Sequence, residues 1–304
     1  MIRDARPRPV VAVTGATGTV GRLVAHGLAA DGSAEVRLLV RDPDKAARAG
    51  LPGRAVAADF GEAAPLREAL RGAEAVFVVT GDPLRPDHDE NVIAAARAAG
   101  VRRVVKLSAL AVLDPGAQDP LTRWQRDNEE RLRASGLDWT LLRPRAFMSN
   151  ALGWAASVRE EGVVRGLYGS GRNACVDPRD VADAAVRALL DPACAGRSYA
   201  LTGPEPLSPR DQTDTLGEVL GRPLEFVELT EDEAVERWRS RWPEHLVRAL
   251  LEGARRQRDG AKATVAEGVR EATGRPPRGF ADWVRAHAHV FGAVAAAPPA
   301  GDTV

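Results

Sequence analysis

The stretch that decides the fold is Val13-Thr14-Gly15-Ala16-Thr17-Gly18-Thr19-Val20-Gly21. An apolar run, Pro9 to Thr14 (PVVAVT), precedes it, and a helical pattern from Thr19 to Ala30 follows. A buried strand that passes through three spaced glycines into a helix is the context a phosphate-binding turn requires. Gly15 allows the tight turn, Gly18 lets a pyrophosphate approach the backbone, and Gly21 lets the helix pack close to the sheet. Thr17, Thr19 and Val20 complete the cradle, where the free N–H groups at the helix start face the phosphates.

Working outward, Glu35 to Arg41, Arg54 to Ala58, Ala73 to Thr80, Arg102 to Ser108 and Asp138 to Arg143 read as further strands. Helical patterns lie between them: one opened by Asp42-Pro43, then Pro65 to Arg71, Pro86 to Ala99 and Leu121 to Ala134. The strands are apolar throughout rather than alternating, which predicts a parallel sheet covered on both faces. With right-handed crossovers this is a doubly wound α/β Rossmann sheet. Beyond it, Ala174 to Val176, Pro178 to Leu190 and Ser198 to Leu201 are candidates to extend the main sheet, and Pro204 to Pro209 is a Pro-rich joint. Helices follow at Pro209 to Leu220, Glu231 to Trp238, Glu244 to Arg256 and Arg278 to Phe291. The expected division is a Rossmann domain over residues 1–150 with 174–202, and a smaller, mostly helical C-terminal substrate lobe over 151–173 with 203–292. Residues 293–304 read as a disordered tail.

Composition narrows the function. The 304 residues carry 42 Lys plus Arg and 42 Asp plus Glu, a balance that argues against a general nucleic-acid binder. A 44% hydrophobic share supports a real core. No apolar run approaches the roughly 18 residues of a membrane span, and the Arg- and Pro-rich start does not read as a secretory signal, so a cytoplasmic protein is expected. Cys175 and Cys194 fit no zinc pattern, and none of the five histidines sits in an HExxH frame, so no metal is expected. Only three lysines occur, Lys45, Lys106 and Lys262. In so Arg-rich a chain, a Lys inside an apolar strand stands out.

The second strand ends at Arg41, twenty residues after Gly21. An acid there would bond a ribose 2′-OH; an Arg suits a 2′-phosphate through a forked, charge-assisted contact. NADP(H) is therefore the expected cofactor, with NAD(H) left open by Asp42, which a small loop shift could aim at a 2′-OH. Asp59 and Phe60 follow the third strand, where the carboxylate could receive the adenine amine and the ring could flank the base; alternatively Asp59 caps the next helix. Thr80 and Gly81 end the fourth strand and Ser108 the fifth, at the carboxyl edge that faces a cofactor. Lys106 shares a face with Ser108. It is either a cation near the cofactor or an anionic substrate oxygen, or a buried Lys paired with a carboxylate.

The chain resembles the NmrA-like family of atypical short-chain dehydrogenases/reductases. The likeness rests on TGATGTVGR (14–22), LVRD (39–42), AADF (57–60), NVIAAARAAGVRRVVKLSAL (91–110), SGLDWTLLRPRAFMSN (135–150), VDPRDVADAAV (176–186), YALTGPEPLS (199–208) and GRPPRGFADWV (274–284). The resemblance implies a Rossmann domain, a small substrate lobe and NAD(P) binding. It also implies that Arg143-Pro144 and Phe147 to Asn150 line the nicotinamide side. Some members resemble NADPH-dependent reductases of quinones, dyes or imines; others bind the dinucleotide as redox sensors.

This sequence departs from the wider superfamily at the catalytic pair. Active short-chain dehydrogenases carry Tyr-x-x-x-Lys in the helix after the fifth strand, where the Lys lowers the Tyr pKa and the Tyr delivers a proton to the carbonyl oxygen. Aligned on Glu129 by spacing, those positions are Leu121 and Gln125. The only tyrosines, Tyr168 and Tyr199, lie far along the chain. Hydride transfer needs a placed cofactor and acceptor, because the cofactor carries the chemistry. The expectation is a reductase of a small conjugated or aromatic metabolite, of quinone, enone or iminium type. Its candidate catalytic residues are Lys106, Ser108 and Asn150. Gln125, Phe147, Met148, Trp154 and Tyr168 are candidates for substrate contact, with plain core as the alternative for Trp154 and Tyr168. The other readings are a redox sensor with a protein partner and a non-redox isomerase or cyclase. A monomer or homodimer acting on a small molecule, with no nucleic acid and no membrane, fits the first.

Overall fold

The computed structural model describes residues 8–81, 84–85 and 87–292. The expected tail at 293–304 and the Pro86 start of the fourth helix lie outside those residues. In chain order the elements are β1 (Val10–Thr14), α1 (Thr19–Asp31), β2 (Glu35–Val40), α2 (Pro43–Arg48), β3 (Arg54–Ala57), α3 (Ala63–Leu70) and β4 (Ala73–Val78). Next come α4 (Asp87–Ala98), β5 (Arg103–Leu107), α5 (Pro120–Arg133), β6 (Asp138–Pro144), α6 (Ala155–Glu161), β7 (Val163–Gly166) and α7 (Pro178–Leu190). The chain continues through β8 (Arg197–Leu201), α8 (Pro209–Leu220), β9 (Glu225–Glu228), α9 (Glu231–Arg239), α10 (Glu244–Arg258), α11 (Gly268–Thr273) and α12 (Phe280–His287).

Seven strands form one sheet in the order β3-β2-β1-β4-β5-β6-β8. Every neighbouring pair is parallel. The order reverses between β1 and β4, which places the ligand crevice of a doubly wound sheet outside the carboxyl ends of those two strands. On one face, Leu39, Val76, Val104 and Leu141 pack with Leu66 and Leu70 of α3, Val92 and Ala96 of α4 and Leu132 of α5. Each buried Val or Leu among them contributes roughly 1.5–3 kcal/mol. Elsewhere α1 meets α7 so closely that a Cβ on Gly27 would lie 2.9 Å from Val186.

The chain divides into two units. The first takes the described residues up to Arg145, with Pro178–Thr202 and Ala266–Pro277; the second takes Ala146–Asp177, Gly203–Val265 and the described residues from Arg278 on. This differs from the expected division in three places, each for a hydrogen-bonding reason. The Arg145 N–H donates to the Leu201 carbonyl at 2.8 Å, so the sheet pairing ends there and not at 150. Ala174 donates to the Lys262 carbonyl and Val176 bridges Phe147, so 174–177 join the second unit rather than the sheet. Residues 266–277 return to the first unit: the Ala266 N–H donates to Thr202 Oγ1 at 3.0 Å. Gly268 lies so close to β8 that a Cβ would sit 2.2 Å from the Ala200 carbonyl oxygen.

The second unit is mainly helical, around a core of Met148, Val158, Val164, Leu216, Phe280, Trp283, Val284 and Phe291. It also holds a parallel pair, β7 with β9, in register from Val163↔Glu225 to Gly166↔Glu228. The sequence analysis gave no sign of this pair, whose strands lie outside the regular strand–helix alternation of the first half. No helix among the described residues is long and apolar enough to cross a membrane.

Candidate functional site

The glycine-rich turn is built by close approach. Gly15 has φ +59°, and a Cβ there would also stand 3.1 Å from Val79. Gly18 is the N-cap of α1, and its N–H donates to the Gly15 carbonyl at 2.9 Å. A Cβ on Gly21 would lie 2.2 Å from that same carbonyl oxygen, so only glycine lets α1 start against the turn. Thr17, Gly18 and Thr19 are exposed, while Val20 is buried and anchors the helix. No side chain caps α1 and its first turn has no acid, so the first N–H groups remain available to an anion. The turn is tied across the crevice by Thr14, whose Oγ1 accepts from the Val79 N–H at 2.7 Å and donates to its carbonyl at 3.2 Å.

At the end of β2 the two rival residues separate. Asp42 caps α2 by accepting from the Lys45 N–H at 3.0 Å, and Arg48 lies 3.7 Å from its other oxygen. Arg41 is exposed and has no ion-pair partner among the described residues. After β3, Asp59 accepts from the Gly61 N–H at 2.8 Å, a local turn rather than a helix cap, since the N-cap of α3 is Glu62. Phe60 is half-buried, edge-on to His88 at 6.0 Å between centroids.

The β4–β6 end is organised differently. Lys106 and Asp89 are both fully buried, and Lys106 Nζ donates to Asp89 Oδ1 at 2.6 Å. Asp89 Oδ2 accepts from Thr80 Oγ1 and, at 2.9 Å, from Asn128 Nδ2. Trp124 of α5 lies against the ammonium, 5.7 Å from Nζ to the ring centroid. Of the two readings of Lys106, the structure gives the buried ion pair. Its charge is spent on Asp89, so the candidate catalytic role loses its geometric basis. Gly81 has open space where a Cβ would be.

Ser108 is likewise engaged. Its Oγ donates to Glu129 Oε1 at 2.6 Å. Glu129 also receives Arg143 through Nε at 2.9 Å and a second nitrogen at 2.5 Å, and Arg133 at 2.9 Å. Burial pushes the Glu129 carboxyl up, but hydrogen bonds from Arg143 and Ser108 and the charges of Arg143 and Arg133 outweigh it, leaving the group below its ordinary value. Ser108 Oγ thus donates to the same carboxylate that Arg143 and Arg133 hold. The sequence reading missed both carboxylates as site builders. For Asp89 a signal existed: it shares one face of α4 with Val92, Ile93 and Ala96, at i, i+3, i+4 and i+7, and an acid on an apolar face demands a buried donor or cation.

Leu121 and Gln125 occupy the superfamily's Tyr and Lys positions on α5. Two polar atoms of successive residues on α5, Trp124 Nε1 and Gln125 Oε1, are buried with no hydrogen-bond partner among the described residues. Pro144, buried, closes β6.

The remaining candidates belong to the second unit. Phe147 is half-buried and bridges Val176. Met148 is buried in that unit's core and Trp154 packs against it, so both are explained by packing rather than by a pocket. Asn150 is exposed on the 3₁₀ turn Met148–Trp154. Tyr168 has φ +49°, a sparsely populated conformation for a side chain of its size. Its hydroxyl donates to Glu231, its ring lies 5.0 Å from the Arg258 guanidinium, and burial with that hydrogen bond raises its pKa. Hydrogen bonds from Arg255 and Tyr168 pull Glu231 down to about 2. Tyr199 is buried in β8, and burial with a hydrogen bond to Cys194 pushes it up to about 12. Among the described residues, no group of three or more His, Cys, Asp or Glu is placed to hold a metal.

The NAD(P)H-binding family matches residues 15–192, more than half of the chain. A (4-alkanoyl-5-oxo-2,5-dihydrofuran-3-yl)methyl phosphate reductase of Streptomyces griseus is 52% identical over 282 residues, covering 93% of this chain and 99% of that protein. An NAD(P)H azoreductase of Xenophilus azovorans is 35% identical, covering 93% of this chain and 100% of its own. Among solved structures, the NADPH-dependent quinone oxidoreductase of Escherichia coli in complex with NADPH superposes with a TM-score of 0.80 at 28% identity. That match covers 92% of this chain and 99% of the other.

Proposed function

The chain belongs to the NAD(P)H-binding family and is an NAD(P)H-dependent oxidoreductase, and from that premise we propose that it reduces the ring C=C of a phosphorylated alkanoyl butenolide with NADPH. The observation that carries the reading is how the described polar side chains at the β4–β6 edge are engaged. Lys106 is held by Asp89, Ser108 by Glu129, and Leu121 and Gln125 stand where a Tyr and a Lys would be. The substrate class comes from the Streptomyces griseus relative, at 52% identity.

The residues fit the cofactor. Gly15, Gly18 and Gly21 bare the backbone at the start of α1, and Arg41, without an ion-pair partner among the described residues, offers its guanidinium for a 2′-phosphate while Asp42 is held as a cap. When bound, the cofactor supplies hydride.

A site whose Lys106 and Ser108 are already engaged suits this acceptor. A 2,5-dihydrofuran carries its ring C=C between carbons 3 and 4. Carbon 4 bears the alkanoyl carbonyl and adjoins the lactone carbonyl, so carbon 3 is activated by both. Hydride added at carbon 3 leaves a negative charge shared by two carbonyl oxygens, and a proton then adds at carbon 4. So delocalised a charge takes its proton from water, whereas a simple ketone would need an acid in place at the moment of transfer. The ordinary tyrosine and lysine are therefore dispensable for this reaction class.

The test is NADPH consumption, followed by near-ultraviolet absorbance, with the butenolide phosphate, a quinone and an azo dye as acceptors. NADPH deuterated at the transferring position should deliver the label to ring carbon 3. Turnover of the quinone or dye alone would overturn the substrate assignment. Tight NADPH binding with no turnover of any acceptor would favour a redox sensor.

A further inference from the structure

Resting on the butenolide reading, we infer that the strip of α10 formed by Leu246 and Leu250 receives the alkanoyl chain of the substrate.

The strip lies wholly within the second unit. On α10, Leu246, Leu250, Gly253 and Gln257 recur at i, i+4, i+7 and i+11, so they share one line along the helix. Glu244, Arg248 and Arg255, all exposed, fall on the opposite side. The C-terminal half of the line is covered. Gln257 Nε2 donates to the Gly171 carbonyl at 2.9 Å, its Oε1 accepts from Asn173 at 3.1 Å, and a Cβ on Gly253 would stand 3.1 Å from Lys262 Nζ. The N-terminal half is not: Leu250 is 42% exposed and Leu246 is half-buried. Yet the helix is packed on both flanks of that half, at Val247 and at Ala249, which are buried. What stays open is an apolar strip one side chain wide, on the side turned away from the charged face.

Chemistry selects the occupant. A strip this narrow, with protein packed along both edges, suits a single alkyl chain; a second copy of the protein or a lipid surface needs a broad exposed face. The surroundings are cationic, since residues 237–250 carry Arg237, Arg239, Arg241 and Arg248 against Glu244 alone. The butenolide ester combines both features. Its alkanoyl group and its phosphomethyl group sit on adjacent ring carbons, so an apolar tail and an anion arrive together. The tail suits the strip and the phosphate suits the basic segment beside it. Leu250 then reads the length of the chain, because each methylene that reaches it leaves water.

The experiment measures binding to the full chain by calorimetry in the presence of NADP⁺, which cannot reduce the ligand. The probes are the octanoyl and the acetyl butenolide phosphates. The wild type should bind the octanoyl ester at least about tenfold more tightly than the acetyl ester. Leu250→Ser should weaken the octanoyl ester roughly fivefold to tenfold and the acetyl ester hardly at all, and Leu250→Met should keep most of the preference. Equal affinity of the wild type for the two esters, equal losses for both in Leu250→Ser, or no loss for either would overturn the inference. So would dimerisation, or binding to anionic vesicles, that Leu250→Ser abolishes, because the strip would then belong to a second copy or to a lipid surface. NADPH consumption with the same two esters separates this inference from the reading beneath it. Reduction of both esters without a chain-length preference in binding would sink only the role of the strip. A preference that depends on Leu250, with no reduction of either ester, would sink the reductase reading and leave the chain site standing. No binding of either ester would sink both.

Discussion

At the β1–β2 end of the sheet edge, Arg41 has no ion-pair partner among the described residues and no side chain caps α1. At the β4–β6 end, Lys106, Thr80 and Asn128 converge on Asp89, and Ser108, Arg143 and Arg133 converge on Glu129. One end leaves its charge and its donors for a ligand; the other spends them inside the protein. The difference teaches where the chemistry must come from. The open end suits holding a dinucleotide, while at the closed end Lys106 is engaged with Asp89 and Ser108 with Glu129. On the proposed reading, a reductase built this way depends on an acceptor that needs little proton help.

The largest test of the comparison is Lys106→Met. If Lys106 belongs to the scaffold, the variant strands the Asp89 charge in the interior and loses about 3–5 kcal/mol of stability by urea unfolding. The folded fraction should bind NADPH as the wild type does. Unchanged stability with weakened NADPH binding would move Lys106 to the ligand and break the contrast between the two ends.

Arg41→Asp probes the open end. A charge-assisted hydrogen bond contributes roughly 1.5–3 kcal/mol, so NADPH should bind about tenfold to a hundredfold more weakly. NADH, which lacks the 2′-phosphate, should be nearly unaffected. Equal losses for the two cofactors would mean that Arg41 supports the loop rather than reading the phosphate.

These two ends were unequally legible in the sequence. The glycine turn is local: nine consecutive residues between a strand and a helix specify it, and the structure adds only which atoms a Cβ would strike. Arg41 could be read because its position after β2 is set by that local frame. Lys106 could be read only as a pair of alternatives, because its partner is 17 residues away on another element. Choosing among 42 acids requires a register that periodicity does not supply. The Asp89 face of α4 held the missing hint. The return of residues 266–277 to the first unit was hidden for a similar reason. Gly268 packs against β8 because of shape, and no hydrophobic period announces a helix as short as α11.

Glu129→Gln sharpens the closed end by titration. The folded carboxyl lies below its ordinary value of 4.5, because the bonds from Arg143 and Ser108 and the charges of Arg143 and Arg133 outweigh burial. A depressed carboxylate stabilises the fold fully above its unfolded pKa, and that contribution is lost as pH falls through the folded one. The wild type should therefore melt a few degrees above the Gln variant at pH 7, and the gap should close on acidification from about pH 5 downward. Melting temperatures of both proteins across that range at constant ionic strength measure it. A gap that stays constant with pH would mean that shape and neutral hydrogen bonding at Glu129, not its charge, hold Ser108 and Arg143. In that case the charge of Arg143 would not be spent on Glu129, and the contrast between the two ends would weaken.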